Sequence, residues 1–128
     1  MEKIAFITGA NRGIGFETSK RLAEEGINVI LGSRDLNKGR EAIKKLSSQN
    51  IDADLIQYDA FDTNAPQKVY DHIFEKYKRL DILINNAGVL LTGNLFVTNS
   101  STIADKDLKD TFQTNFFSVV SLTQMLLP

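Results

Sequence analysis

Residues 8–15 read TGANRGIG and place three glycines, Gly9, Gly13 and Gly15, between the apolar run 4–7 (IAFI) and a helical pattern. Gly9 permits a tight turn off a strand, and Gly13 lets the backbone approach a ligand with no side chain between them. Gly15 lets the helix pack closely on a sheet. Unpaired N–H groups and the helix dipole would then face an anion. The stretch predicts a pyrophosphate site; a loop with ordinary turn glycines is the alternative, and no Gly-Lys-Ser/Thr of a Walker-type loop follows.

Apolar strands alternate with amphipathic helices along the chain. We predict strands at 3–8, 28–33, 52–58 and 80–84, and helices at 13–25, at 35–48, after residues 62–66 (DTNAP), and at 105–127 as one helix or two end to end. Residues 86–104 are predicted to be mostly loop. This order is typical of an α/β fold whose parallel sheet carries helices on both faces, with a doubly wound topology in a single domain over residues 1–128.

Local signals place the ends and packed faces of these helices. Gly26 is expected to end the first helix, and Asp35 to cap the second. Residues at helical spacing predict a stack in each of the first three helices: Ile14, Thr18 and Leu22; Leu36, Ile43 and Leu46; and Val69, Ile73 and Tyr77.

Small, polar or charged residues follow every predicted strand. The second strand ends in Gly32-Ser33-Arg34, the third in Asp59, and the fourth in residues 85–88 (NNAG). Since ligands of such sheets bind beyond the carboxyl ends of the strands, we expect these residues to surround one crevice together with the glycine loop.

Composition excludes several classes of function. The 128 residues carry a formal net charge of -1 without a basic block, so nothing favours binding to nucleic acid or a membrane surface. The absence of cysteine excludes disulfides and thiolate metal sites and fits a cytoplasmic location. The single histidine, His72, has no metal-ligand cluster around it and is expected at the surface. No signal-peptide pattern is visible at the N-terminus.

The motifs resemble those of the short-chain dehydrogenase/reductase family. The glycines match its G-x-x-x-G-x-G pattern, residues 85–88 match its NNAG element, and Asp59 matches the acid that contacts adenine. Asn115 matches the asparagine of the catalytic tetrad. The resemblance implies a Rossmann-type sheet with strand order 3-2-1-4. It also implies the following cofactor-binding residues: Gly9, Asn11, Arg12, Gly13, Ile14, Gly15, Ser33, Arg34, Asp59, Ala60, Asn86, Ala87 and Gly88.

The end of the second strand favours NADP over NAD. A carboxylate there would bind the ribose 2′-hydroxyl of NAD and repel a 2′-phosphate, but this strand ends in Ser33 and Arg34. Arg12 lies in the glycine loop, and two guanidinium groups could clasp a phosphate. Asp35 is the competing candidate for a 2′-hydroxyl, but we interpret it as the helix cap. The pattern is similar to that of the NADP-preferring, carbonyl-reductase-like members of the family.

The serine and the Tyr-x-x-x-Lys that the family's chemistry requires are not found. Positions four residues beyond the three tyrosines hold Asp62, Phe74 and Asp81. We therefore expect a truncated sheet: the N-terminal, cofactor-binding part of an oxidoreductase that moves hydride between NADPH and a carbonyl or secondary alcohol. The chain would be a fragment or an early-terminated copy, itself inactive. A stand-alone nucleotide-binding half-domain and a partial fold without function are the alternatives.

Two further expectations concern apolar surfaces. The fourth strand would form an exposed apolar edge, which natural proteins usually avoid. Residues 116–122 (FFSVVSL) are apolar on more than one face, as in a helix that is buried on several sides. This helix could support a homo-oligomer.

Overall fold

The computed structural model describes residues 2–87, 106, 109, 113 and 117–126. Strands and helices alternate along this part of the chain, in the order β1 (Ile4–Ile7), α1 (Gly13–Glu24), β2 (Asn28–Ser33), α2 (Leu36–Ser47), β3 (Asp54–Gln57), α3 (Ala65–Lys76), β4 (Ile82–Ile84) and α4 (Ser118–Leu126). The predicted alternation is confirmed; β2 has the predicted bounds, and the other three strands are two or three residues shorter than expected. The predicted loop at 86–104 and the first part of the predicted final helix fall largely outside the described residues.

The four strands form one parallel sheet in the order β3-β2-β1-β4. In register, Ala5 of β1 lies opposite Val29 of β2 on one side and Ile82 of β4 on the other. The predicted strand order 3-2-1-4 is confirmed. It places β1 at the centre, so the glycine loop leaves the sheet between β2 and β4.

The central strand sends alternate side chains into two cores, one on each face of the sheet. Phe6 packs in a cluster with Ile73 of α3 and Leu122 of α4. Ile7 packs in the other cluster with Leu46 of α2. Since a parallel sheet is covered on both faces, a run such as IAFI is apolar throughout rather than alternating. The helices lie on both faces, as predicted.

Helix ends follow the local signals in the sequence. The Asp35 carboxylate accepts hydrogen bonds from the backbone N–H of Asn37 (2.8 Å) and Lys38 (3.2 Å), so the predicted cap is confirmed. Gly26, with φ of +84°, follows the end of α1 in the left-handed region. Pro66 lies in the first turn of α3, where its missing N–H leaves no helical bond unmade.

The stack of Ile14, Thr18 and Leu22 does not form the packed face of α1. Ile14 is 78% exposed, and the fully buried positions of the helix are Gly15 and Ser19. The Ser19 hydroxyl donates to the carbonyl oxygen of Gly15 at 2.8 Å. Small residues face the sheet because the start of α1 lies too close to it for a large side chain. The predicted stack was therefore wrong at Ile14, whereas Leu22 is partly buried and packs against the second core cluster.

The two expected apolar surfaces are only partly covered. β4 is an edge of the described sheet, and its side chains are half-buried. On α4 and just before it, Phe117, Val120 and Met125 are 54%, 39% and 36% exposed, while Leu122 and Leu126 are buried. Within the described residues, no helix combines the length and apolar character needed to cross a membrane.

Candidate functional site

A cavity of about 830 Å³ lies beyond the carboxyl ends of the strands. Its wall includes Gly9 after β1, Arg34 after β2, Asp59 after β3 and Asn86 after β4. All four described strands therefore contribute to one crevice, as their polar ends predicted. A crevice at this edge is where open α/β sheets bind their ligands.

The glycine loop forms one side of the cavity with left-handed backbone at two positions. Gly9 and Gly13 have φ of +60° and +61°. A Cβ at Gly9 would lie 2.9 Å from the Cα of Ala87, whereas a Cβ at Gly13 would meet no atom within 4 Å. The first glycine is therefore required by the protein's own packing. The second leaves open space on a loop that faces the cavity, which is room for a guest.

The N-terminus of α1 opens beside this loop. Arg12 occupies the cap position in an extended conformation, and no side chain caps the helix. The first N–H groups of the helix are thus left for a ligand or solvent, at the positive end of the helix dipole. Asn11, Arg12 and Gly13 all line the cavity. This combination suits a phosphate group.

Three hydrogen bonds, made by two side chains, join the segments that follow β1 and β4 beneath the cavity. The hydroxyl oxygen of Thr8 accepts hydrogen bonds from the backbone N–H of Asn86 (3.0 Å) and of Ala87 (2.9 Å). The Asn86 side chain donates from Nδ2 to the carbonyl oxygen of Gly9 at 3.0 Å. A Cβ at Gly15 would lie 2.5 Å from Asn86 Nδ2 and 2.5 Å from the carbonyl oxygen of Gly9, the two atoms of this last hydrogen bond. Gly15 thus acts through packing and does not line the cavity.

The end of β2 separates into buried and exposed residues. Ser33 is 1% exposed, and its hydroxyl donates to the carbonyl oxygen of Asp35 at 2.8 Å, so it stabilises the turn and does not line the cavity. Arg34 is exposed and lines the cavity. Asp35 also reaches the wall, but its Oδ1 is engaged by the helix cap. Lys38 adds a third cation beside Arg12 and Arg34.

The end of β3 supplies a structured turn. The Asp59 side chain accepts from the N–H of Phe61 at 3.0 Å, and its carbonyl oxygen accepts from the N–H of Asp62 at 3.0 Å. Tyr58, which is 5% exposed, also lines the cavity. Burial raises the pKa of the Tyr58 hydroxyl, as does the nearby Asp59, although a hydrogen bond with Ser118 opposes the change. This part of the wall therefore presents the neutral hydroxyl of Tyr58 beside the ordered carboxylate of Asp59.

Most residues predicted for the site meet at this cavity. Nine line it: Gly9, Asn11, Arg12, Gly13, Arg34, Asp59, Ala60, Asn86 and Ala87. Ile14 is 78% exposed and does not line the cavity, while Gly15 and Ser33 support the wall from behind. Gly88 and Asn115 lie outside the described residues.

Sequence reasoning missed five residues of the wall. Leu36, Lys38, Gln57, Tyr58 and Phe61 line the cavity without belonging to a motif. Their only signal was proximity: each lies within five residues of a predicted strand end. Position next to a strand end was thus a broader guide than the motifs themselves.

A separate charged cluster lies at the opposite, amino-terminal edge of the sheet. The Asp54 Oδ2 atom accepts from the Tyr77 hydroxyl (2.8 Å) and Lys76 Nζ (3.3 Å), and lies 2.7 Å from His72 Nε2. Burial raises the pKa of the Asp54 carboxyl, but hydrogen bonds from His72, Tyr77 and the N–H of Leu55 outweigh it and lower the pKa. Burial and the bond to Asp54 raise the pKa of Tyr77.

This cluster is structural in character. It joins the start of β3 to the end of α3, and none of its members lines the cavity. His72 is partly exposed, in agreement with the surface position expected for it. Within residues 2–87, 106, 109, 113 and 117–126, no group of three or more histidine, cysteine or carboxylate residues could hold a metal ion.

Comparison with known proteins identifies the family of the chain. The model of the short chain dehydrogenase family matches residues 3–128. The chain is 34% identical to (-)-isopiperitenone reductase of Mentha piperita, over 100% of this chain and 52% of that protein. It is 32% identical to carbonyl reductase (NADPH) 1 of Mus musculus, over 98% of this chain and 44% of that protein.

Among solved structures, actinorhodin polyketide ketoreductase with NADPH superimposes with a TM-score of 0.88 at 29% identity, over 98% of this chain and 46% of that one. The chain thus spans about half the length of these similar proteins.

Proposed function

Because the chain belongs to the short chain dehydrogenase family, we propose that it is the cofactor-binding part of an NADP(H)-dependent oxidoreductase. The reaction would transfer hydride between the nicotinamide and a small carbonyl compound or secondary alcohol. The proposal rests on the open space beside Gly13, where an added Cβ would meet no atom within 4 Å, and on Arg12 and Arg34, which line the same cavity. The names of a reductase relative and a structural neighbour, which specify NADPH, support this choice.

The residues of the cavity fit a dinucleotide with a third phosphate. The uncapped N–H groups of α1 and the left-handed Gly13 suit the pyrophosphate. Arg12 and Arg34, joined by Lys38, suit the 2′-phosphate. The carboxylate of Asp35, which would oppose that phosphate, is held at the helix cap by two backbone N–H bonds to its Oδ1. Asp59 and Ala60 would contact the adenine, and residues 86–88 would border the rest of the cofactor.

When bound, NADPH would supply the hydride, while the described residues would fix its position. Asn115 would hold the place of the tetrad asparagine, but the serine and Tyr-x-x-x-Lys are not in these 128 residues. A positioned acid or base is worth about 10²–10⁴-fold in rate. We therefore expect the 128-residue chain to bind NADPH weakly and to reduce no carbonyl compound.

The test measures binding of NADPH and NADH to the 128-residue chain, by nucleotide fluorescence and by titration, together with turnover of a carbonyl substrate. We expect NADPH to bind more tightly. Arg34→Ala should remove about tenfold of that preference, the strength of one hydrogen bond to a charged group. Arg40→Ala is the matched control, since Arg40 is exposed on α2 and does not line the cavity.

Three results would contradict the proposal. If NADPH and NADH bind equally and Arg34→Ala leaves this unchanged, the proposed contact of Arg34 with the 2′-phosphate is refuted. If neither nucleotide binds, the proposed cofactor site is refuted. Measurable carbonyl reduction by the 128-residue chain would show that the missing tetrad residues are not required.

Two further parts of the proposal concern the setting of the protein. We place it in the cytoplasm, which fits a cysteine-free chain with a net charge of -1. We also propose that the exposed side chains of Val120 and Met125 on α4 support a homo-oligomer. Sedimentation showing a monomer at high concentration would refute the oligomer, and localisation of the tagged protein outside the cytoplasm would refute the first part.

A further inference from the structure

Phe61 is an aromatic residue whose position the core does not explain. Its side chain is 38% exposed and belongs to neither core cluster. It lies on the wall of the cavity, on the turn that follows β3. A phenylalanine that is partly exposed at a polar crevice contributes less free energy of burial than one in the core. Its contacts at the cavity therefore indicate its role.

The ring of Phe61 lies under the guanidinium of Arg34. The Cζ atom of Arg34 is 5.8 Å from the ring centroid, within the range of a cation–π contact. Both residues line the cavity. The contact joins the loop after β2 to the loop after β3, so it fixes one long side chain across the mouth of the site.

Both partners of this contact are held by their backbones. The N–H of Phe61 donates to Asp59 Oδ1 at 3.0 Å, within the turn closed by Asp62. The carbonyl oxygen of Arg34 accepts from Gln57 Nε2 at 3.3 Å. The backbone at both ends of the contact is therefore held, and the mobile parts are the two side chains that meet there.

From this arrangement we propose that Phe61 is a positioning residue, which holds the Arg34 guanidinium at the cavity mouth and so increases the preference for a nucleotide that carries a 2′-phosphate. The inference rests on the proposed function. An exposed arginine loses side-chain entropy when it binds a phosphate, and a side chain that is already confined loses less. Phe61 contacts the anion only through Arg34.

The experiment compares 2′,5′-ADP with 5′-AMP, which share the adenosine and the 5′-phosphate and differ in the 2′-phosphate. Both are titrated into the ¹⁵N-labelled 128-residue chain by NMR, at one ionic strength. Phe61→Leu should weaken 2′,5′-ADP about two- to fivefold, the range of an exposed cation–π contact, and leave 5′-AMP unchanged. Phe61→Tyr, which keeps the aromatic face, should bind both nucleotides as the unsubstituted chain does.

Two controls separate positioning from a general structural effect. Tyr70→Leu removes an aromatic side chain of equal exposure, 38%, that stacks on Phe74 and does not line the cavity, and it should change neither affinity. In an Arg34→Ala background, Phe61→Leu should have no further effect on 2′,5′-ADP, because the group that Phe61 positions is gone.

The outcomes distinguish this inference from the proposed function. Equal weakening of 2′,5′-ADP and 5′-AMP would mean that the ring contacts the base, and would overturn the inference while leaving a nucleotide site. Unchanged affinities in Phe61→Leu, or the same loss in the Arg34→Ala background, would also overturn it. If the unsubstituted chain shows no preference for 2′,5′-ADP, the proposed phosphate clasp fails and the inference fails with it.

Discussion

Replacement of Gly15 by alanine tests the close packing of α1 on the end of β4. The added Cβ would lie 2.5 Å from the carbonyl oxygen of Gly9 and 2.5 Å from Nδ2 of Asn86. These two atoms form the 3.0 Å hydrogen bond that holds the loop after β4 against the glycine loop. The methyl group must therefore displace the backbone oxygen of Gly9 or push the Asn86 amide away and break the bond.

The magnitude follows from three contributions. Overpacking costs about 1–3 kcal/mol, and loss of the hydrogen bond about 1 kcal/mol. Alanine recovers about 1 kcal/mol over glycine in a helix. We expect Gly15→Ala to lower the free energy of unfolding by about 1–3 kcal/mol, and the melting temperature by about 3–15 °C.

The measurement is thermal and urea unfolding followed by circular dichroism. Gly39→Ala in α2 is the control: its Cβ would lie 2.7 Å from Cδ1 of Leu55, the mobile end of a side chain. We expect it to lose at least about 1 kcal/mol less than Gly15→Ala, because a leucine terminus moves more easily than backbone. If Gly15→Ala unfolded at the wild-type midpoint or above it, the close approach of α1 would be refuted.

Two further predictions concern carboxylates. Asp35→Ala should lower the free energy of unfolding by about 0.5–2 kcal/mol through loss of the α2 cap, measured by urea unfolding; a change below about 0.3 kcal/mol would contradict the cap, and Asp35→Asn should restore most of the loss. Asp54→Asn should destabilise the chain by about 1–3 kcal/mol at pH 7 through weakened bonds from His72 and Tyr77. Because the folded pKa of Asp54 lies below its ordinary value of 3.8, this difference should persist above pH 3.8 and decrease as the pH falls through the lowered pKa, as urea unfolding at several pH values would detect. A difference that grew on acidification would contradict the assigned sign.

The sequence predicted the features that depend on short-range patterns. The cap at Asp35 and the left-handed Gly26 are decided within one turn of chain, and both are confirmed. The doubly wound parallel sheet followed from the regular β–α alternation and right-handed crossovers, whereas the strand order 3-2-1-4 came from the resemblance to the family. The strand ends that surround the cavity followed from the same parallel geometry.

Features that depend on contacts between distant residues could not be predicted in this way. Thr8 and Asn86 are 78 positions apart, and nothing near either residue indicates the hydrogen bond between them. The exposure of Ile14 depends on how closely α1 approaches the sheet, and the spacing of apolar residues alone does not indicate this distance. Phe61 reaches the cavity only because the turn after β3 brings it beside Arg34.

The positions of the two polar clusters have a consequence for how this chain can vary. Asp54 and its partners lie at the amino-terminal rim of the sheet, and the nucleotide-sized cavity lies at the carboxyl-terminal rim. No member of the first cluster lines the cavity. We therefore expect substitutions there to change the free energy of unfolding while every residue of the cavity wall is kept.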